Sequence, residues 1–134
     1  MLVYRYVSEY ELRNILQNNV ENLGFEYNGC YGLSNNHKYK KGVKYLHFFK
    51  HKSAINFIRL YHTKENCRHF VCTFDIPYLL LFKGMGKGRY ELSGMDYLTT
   101  TEREYIVPAN EFKKEWLKSY VTEQYFLDSQ QAGR

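Results

Sequence analysis

The sequence predicts an α+β domain made of two small curved, mixed β-sheets with helices at their flanks. Three observations lead there. Short runs of β-forming residues recur along the 134 residues, each ended by a polar or glycine-containing turn. Helical stretches fall between some of these runs but never repeat as βαβ units, which argues against a doubly wound parallel sheet. Hydrophobic residues make up 44% and aromatics 18%, with 14 Tyr and 9 Phe, enough to fill one core and too apolar for disorder. A single domain over residues 1–134 is expected, with a frayed tail from Asp128 to Arg134.

Met1 to Val7 reads as a strand. It runs into Ser8, which is followed three residues later by Glu11 in the form of a capping box. The helix so started turns Leu12, Ile15 and Leu16 inward at helical spacing. Arg5 stands in the middle of that strand, where a cation costs desolvation energy unless an anion meets it or its face is open to water. The first case makes it an anion-binding group on the floor of a cleft, and the second an ordinary surface arginine.

Residues 19–42 are polar and rich in turns, with glycines at 24, 29, 32 and 42, and read as a long connection of the binding-loop kind. Val43 to Phe49 is a second strand. Ser53 is placed to cap a second helix, whose apolar side carries Ala54, Phe57, Ile58 and Tyr61. A third strand spans Cys67 to Ile76, and Pro77 begins a helical turn through Phe82. The run Lys83-Gly84-Met85-Gly86-Lys87-Gly88-Arg89 lacks the Gly-Lys-Ser/Thr of a phosphate loop and follows a helix-like segment. It reads as a flexible hairpin or lid. Tyr90 to Tyr97 is a weak strand or turn. At the end, Asn110 is placed to cap a last helix whose apolar side is Phe112, Trp116, Leu117 and Tyr120.

The formal charge is +5 with a pI near 9.0, which favours anionic partners. That charge is spread out. Its densest patches, His37 to Lys41 and Lys50-His51-Lys52, are short and read as solvated basic faces. Three cysteines, an odd number with no leader-like segment ahead of them, point to a reducing, cytoplasmic setting. Cys67 and Cys72, near His62 and His69, do not have zinc-site spacing, so they read as packing residues and no metal is expected. No apolar run approaches the ~20 residues needed to span a membrane.

Before Pro108 lies Thr99-Thr100-Thr101-Glu102-Arg103-Glu104-Tyr105-Ile106-Val107. In a strand, Glu102 and Glu104 share one face, and like charges that close raise one proton affinity. A purely structural strand avoids this unless both carboxylates are well solvated.

Three segments resemble one family in the same order along the chain. Tyr4-Arg5-Tyr6 is similar to the Tyr-Arg segment of mono-ADP-ribosyltransferases. Lys44-Tyr45-Leu46-His47-Phe48-Phe49 and the helix after it resemble that family's central strand and trailing helix. Glu102-Arg103-Glu104 with its apolar run to proline resembles the closing Glu-x-Glu segment.

The resemblance implies a split pair of sheets with an NAD cleft between them, NAD being the ADP-ribose donor. It makes Glu104 the carboxylate that holds the ribose and faces the developing charge, and Glu102 the residue that orients or deprotonates the acceptor. Arg5 would hold the phosphates or the ribose, and Phe48 or Phe49 would stack on nicotinamide. Typical members carry Ser-Thr-Ser where this chain has His47-Phe48-Phe49, so His47 or Tyr45 would take over the serines' role. A macromolecular acceptor is implied, protein ahead of nucleic acid, as for a toxin or phage-type effector. The missing serines leave a second reading open: a catalytically silent module of the same fold that blocks a host protein or nucleoprotein complex. A third reading, an RNA-directed protein using its lysines and tyrosines, predicts strongly salt-dependent binding.

Overall fold

Strand β1, Leu2–Ser8, is buried on both faces and therefore sits inside the sheet rather than at its edge. In this computed structural model, which describes residues 1–26, 42–61, 66–83 and 104–132, β1 pairs along its whole length with β4, His69–Asp75. The remaining strands are β2 (Phe25–Glu26), β3 (Lys44–Phe49), β5 (Phe82–Lys83), β6 (Glu104–Pro108) and β7 (Leu117–Thr122). They form one seven-stranded sheet in the order β5-β6-β3-β1-β4-β7, with β2 also beside β3.

Every strand pairing is antiparallel, so the expectation of two mixed sheets gives way to one antiparallel sheet among the described strands. The sheet is nonetheless almost divided. Its halves meet at one register pair, Tyr4 opposite Phe49. Since β6 lines one edge of β3 from Tyr45 to Phe49, β1 and β2 must share the other edge, β1 at its end and β2 at its start. The backbone of β3 between those two contacts faces a gap in the ladder.

One face of the sheet carries the main core. Val3 and Val7 of β1, Leu46 and Phe48 of β3, Phe70, Cys72 and Phe74 of β4, and Tyr105 and Val107 of β6 pack with Leu12 and Ile15 of helix α1, Glu9–Leu16. An edge-to-face chain of rings, Phe48–Phe74–Phe112–Trp116, with centroids 5.1, 5.7 and 5.6 Å apart, closes this layer. On the opposite face Tyr6 and Val71 pack with Ile55 of helix α2, Ile55–Tyr61, and Phe126 of helix α3, Glu123–Ala132. Helices on both sides thus cover the middle of an antiparallel sheet, an α+β arrangement.

Ser8 caps α1, its hydroxyl accepting from the Glu11 amide at 3.1 Å. The expected cap at Ser53 does not form that way. Ser53 lies inside a 3₁₀ turn, Lys52–Ala54, ahead of α2, and Phe57 points partly to solvent instead of inward. After Pro77 the helical turn is a 3₁₀ turn over Tyr78–Leu80, and Phe82 belongs to β5.

The largest correction is at the end of the chain. Phe112, Trp116 and Tyr120 recur every four residues and imitate a helical face. Here Phe112 and Trp116 flank and close 3₁₀ turns, and Leu117–Thr122 is strand β7 on the outer edge of β4. Without β7, the backbone donors and acceptors on that edge of β4 would lack partners, and β-branched Val121 and Thr122 suit a strand. The helix begins only after Thr122, whose hydroxyl accepts from the Tyr125 amide at 3.1 Å, and it continues through Ala132, including residues from Asp128 expected as tail. Residues 27–41, 62–65, 84–103 and 133–134, among them the expected glycine-rich hairpin and the expected strand or turn over Tyr90–Tyr97, lie outside the described residues.

Gly24 shows why the start of β3 tolerates so close a neighbour. Its φ is +74°, and a Cβ there would stand 2.7 Å from the Tyr45 carbonyl oxygen. Both left-handed strain and a backbone clash oppose any side chain. Gly24→Ala is expected to cost about 2–3 kcal/mol. Chemical denaturation measures it, and a loss below about 0.5 kcal/mol would contradict the close approach.

Candidate functional site

The register places three sequence positions in one cross-strand row. Tyr4 lies opposite Phe49, and Phe49 lies opposite Glu104, the first residue of β6. Opposed residues of an antiparallel sheet belong to the same face. Tyr45 and His47, four and two positions before Phe49, belong to that face as well. Arg5 and Phe48 are each one residue out of the row and belong to the main-core face. Glu104 is described as a backbone position of β6, and Glu102 lies outside the described residues.

Arg5 is neither an open surface arginine nor a cation without a protein anion. Its Nε donates to Glu11 Oε2 at 2.6 Å and its Nη2 to Glu11 Oε1 at 2.8 Å, a two-point grip. Its Nη1 donates to the carbonyl oxygen of His47 at 2.8 Å, across the gap between β1 and β3. Side-chain exposures of 13% for Arg5 and 22% for Glu11 make this a largely dry pair. The chain thus meets the desolvation cost with a carboxylate from its own α1. All three guanidinium nitrogens are engaged, which makes Arg5 a tie between β1, β3 and α1 and removes it as the natural holder of a ligand's phosphates.

Phe48 is corrected outright. It has no exposed surface and packs edge-to-face on Phe74, so it cannot stack on a ligand in this arrangement. Phe49 is buried with Ala54 beside Ile58, and Tyr45 and His47 are buried too. Tyr4 is the half-buried aromatic of the row. The ammonium of Lys52 lies 5.7 Å from its ring centroid, a cation–π contact.

Sequence reasoning missed Glu11 as Arg5's partner because a capping box assigns that carboxylate back to the Ser8 amide. The signal available was the six-residue spacing from a strand arginine to a first-turn glutamate. It gave no role of their own to Tyr4, named only within the Tyr4-Arg5-Tyr6 segment, or to Lys52, named only within a short basic patch.

A second polar cluster lies under α2 and α3. Glu123 accepts from Tyr6 Oη at 2.9 Å and from Arg59 Nη1 at 3.3 Å, and the His69 ring stacks on Tyr6 with centroids 5.1 Å apart. Burial, with the hydrogen bond to Glu123 second, holds the Tyr6 phenol well above its ordinary range. This cluster joins both helices to the sheet.

Among the described residues no group of three or more His, Cys, Asp or Glu could hold a metal ion. No described helix is long and apolar enough to cross a membrane. Cys72 is fully buried, and burial pushes its thiol up to about 12. It should therefore resist alkylation near pH 8 in the native protein and react only after denaturation. Peptide mapping checks this, and rapid native labelling of Cys72 would contradict its placement.

Comparison of the chain with protein-family models, with curated proteins and with solved structures found no match.

Proposed function

We propose that this protein is a divergent mono-ADP-ribosyltransferase that takes NAD as donor and modifies a macromolecular target, a protein ahead of a nucleic acid. The observation that carries the reading is the nearly divided sheet: two halves joined at Tyr4–Phe49, with Glu104 opening the strand next to that joint. A cleft along that joint, beside Glu104, is what the resemblance calls for.

Rupture of the bond between the nicotinamide nitrogen and the ribose carbon builds an oxocarbenium-like cation. Glu104 is assigned the carboxylate that stabilises it more than the ground state. Glu102 is assigned the proton of the acceptor nucleophile as that group bonds to the same carbon and nicotinamide leaves. Of the aromatics at the joint, half-buried Tyr4 fits a place beside the dinucleotide, and Phe48, on the main-core face, does not. Arg5 becomes a positioning residue, acting on β3 rather than on the donor.

A second reading has a specific observation behind it. Tyr45, His47 and Phe49 are buried, and no Ser-Thr-Ser steadies the glutamate, which suits a catalytically silent module of this fold. Incubation with NAD labelled in its ADP-ribose part, in lysate from the host, separates the two. Transferase activity predicts a labelled macromolecule and released nicotinamide. Neither a labelled macromolecule nor released nicotinamide would sustain the silent module instead.

A further inference from the structure

We infer that Lys50 and Lys52, on the turn that follows β3, hold the pyrophosphate of the dinucleotide. This rests on the NAD reading and supplies what the structure takes away from it. A dinucleotide brings two negative charges, and Arg5, the cation the sequence offered, has every guanidinium nitrogen bonded to Glu11 or His47. The charge must be met elsewhere near the Tyr4–Phe49–Glu104 row.

Lys50 follows Phe49 directly on the turn after β3, and Lys52 lies against the Tyr4 ring, so both stand beside that row. Both are exposed, and among the described residues neither forms an ion pair. Lysine serves phosphate as a mobile point charge, which needs no preset fork geometry. Lys52 is also held in place by the Tyr4 face, which limits the entropy lost when it meets an anion.

The test measures equilibrium binding of two probes, NAD and nicotinamide riboside, to the whole chain. The riboside keeps the nicotinamide and its sugar but has no phosphate. The double variant Lys50→Ala, Lys52→Ala is compared with Lys113→Ala, Lys114→Ala, a pair of exposed lysines elsewhere. The inference predicts that the first variant binds NAD about tenfold more weakly, with riboside binding unchanged, and that the second matches the wild type. Equal NAD affinity in the Lys50, Lys52 variant and the wild type overturns this inference and leaves the NAD reading standing. Absence of NAD binding by the wild type overturns both. Because the four lysines are exposed, unaltered melting temperatures are expected in both variants.

Discussion

Glu104→Gln is expected to lose about 10²–10⁴-fold in the rate of ADP-ribose transfer while the melting temperature stays within a few degrees of wild type. The amide keeps the size of the side chain and removes the charge that opposes the oxocarbenium-like cation. If the carboxylate acts mainly in the transition state, turnover falls and the Michaelis constant for NAD changes little. Glu102→Gln should do less to cleavage of NAD by water and more to transfer onto the macromolecule, since its assigned partner is the acceptor. Full transfer by Glu104→Gln would remove the assignment of that residue. An equal fall in both reactions for Glu102→Gln would remove the division of labour.

Arg5→Ala is the second large effect, and here stability carries the signal. The substitution strands the Glu11 carboxylate and the His47 carbonyl, both in a partly dry site. Breaking a fully buried pair by removing one partner costs about 3–5 kcal/mol. With Arg5 and Glu11 still 13% and 22% exposed, water softens the loss to about 2–3 kcal/mol, or about 10 °C in melting temperature. Arg5→Lys keeps the charge but cannot span two carboxylate oxygens and a carbonyl together, so it should recover less than half of the loss. Pairing Arg5→Met with Glu11→Leu should restore most of it, because no charge is then stranded. An arginine reserved for the donor's phosphates would behave in the opposite way, with unchanged melting and weakened NAD binding. That pattern would refute the tie across the sheet.

Much of the first half of the fold was legible from local signals. Ser8 capping the helix, the alternation in β1, and Leu12 and Ile15 turned into the core all follow from short-range rules, and the structure keeps them. The end of the chain was not legible. Spacing at Phe112, Trp116 and Tyr120 matched a helix, yet β4 demanded a partner on its outer edge, and that demand arises only once the sheet exists. The same holds for the number of sheets. Nothing local distinguishes two sheets from one whose described halves share a single register pair, Tyr4–Phe49.

The candidate site divides along the same line. The alternation of strand faces already separates Phe48 from Phe49, although which face is core depends on α1 and on the Phe74–Phe112–Trp116 rings. For Arg5 the sequence left two cases open, an anionic partner or a face open to water, and the structure pairs it with an anion of the chain itself. Which anion it finds is set by how α1 folds back over the sheet, so Glu11 emerges only from the structure.

Calorimetric titration of the whole chain with NAD isolates the donor site, because it needs neither the target nor turnover. Saturable binding of one NAD per chain is expected, with a dissociation constant below about 1 mM, the range in which enzymes hold their substrates. No heat of binding at NAD concentrations of several times about 1 mM would contradict it, and would leave the chain as a binding module of this fold.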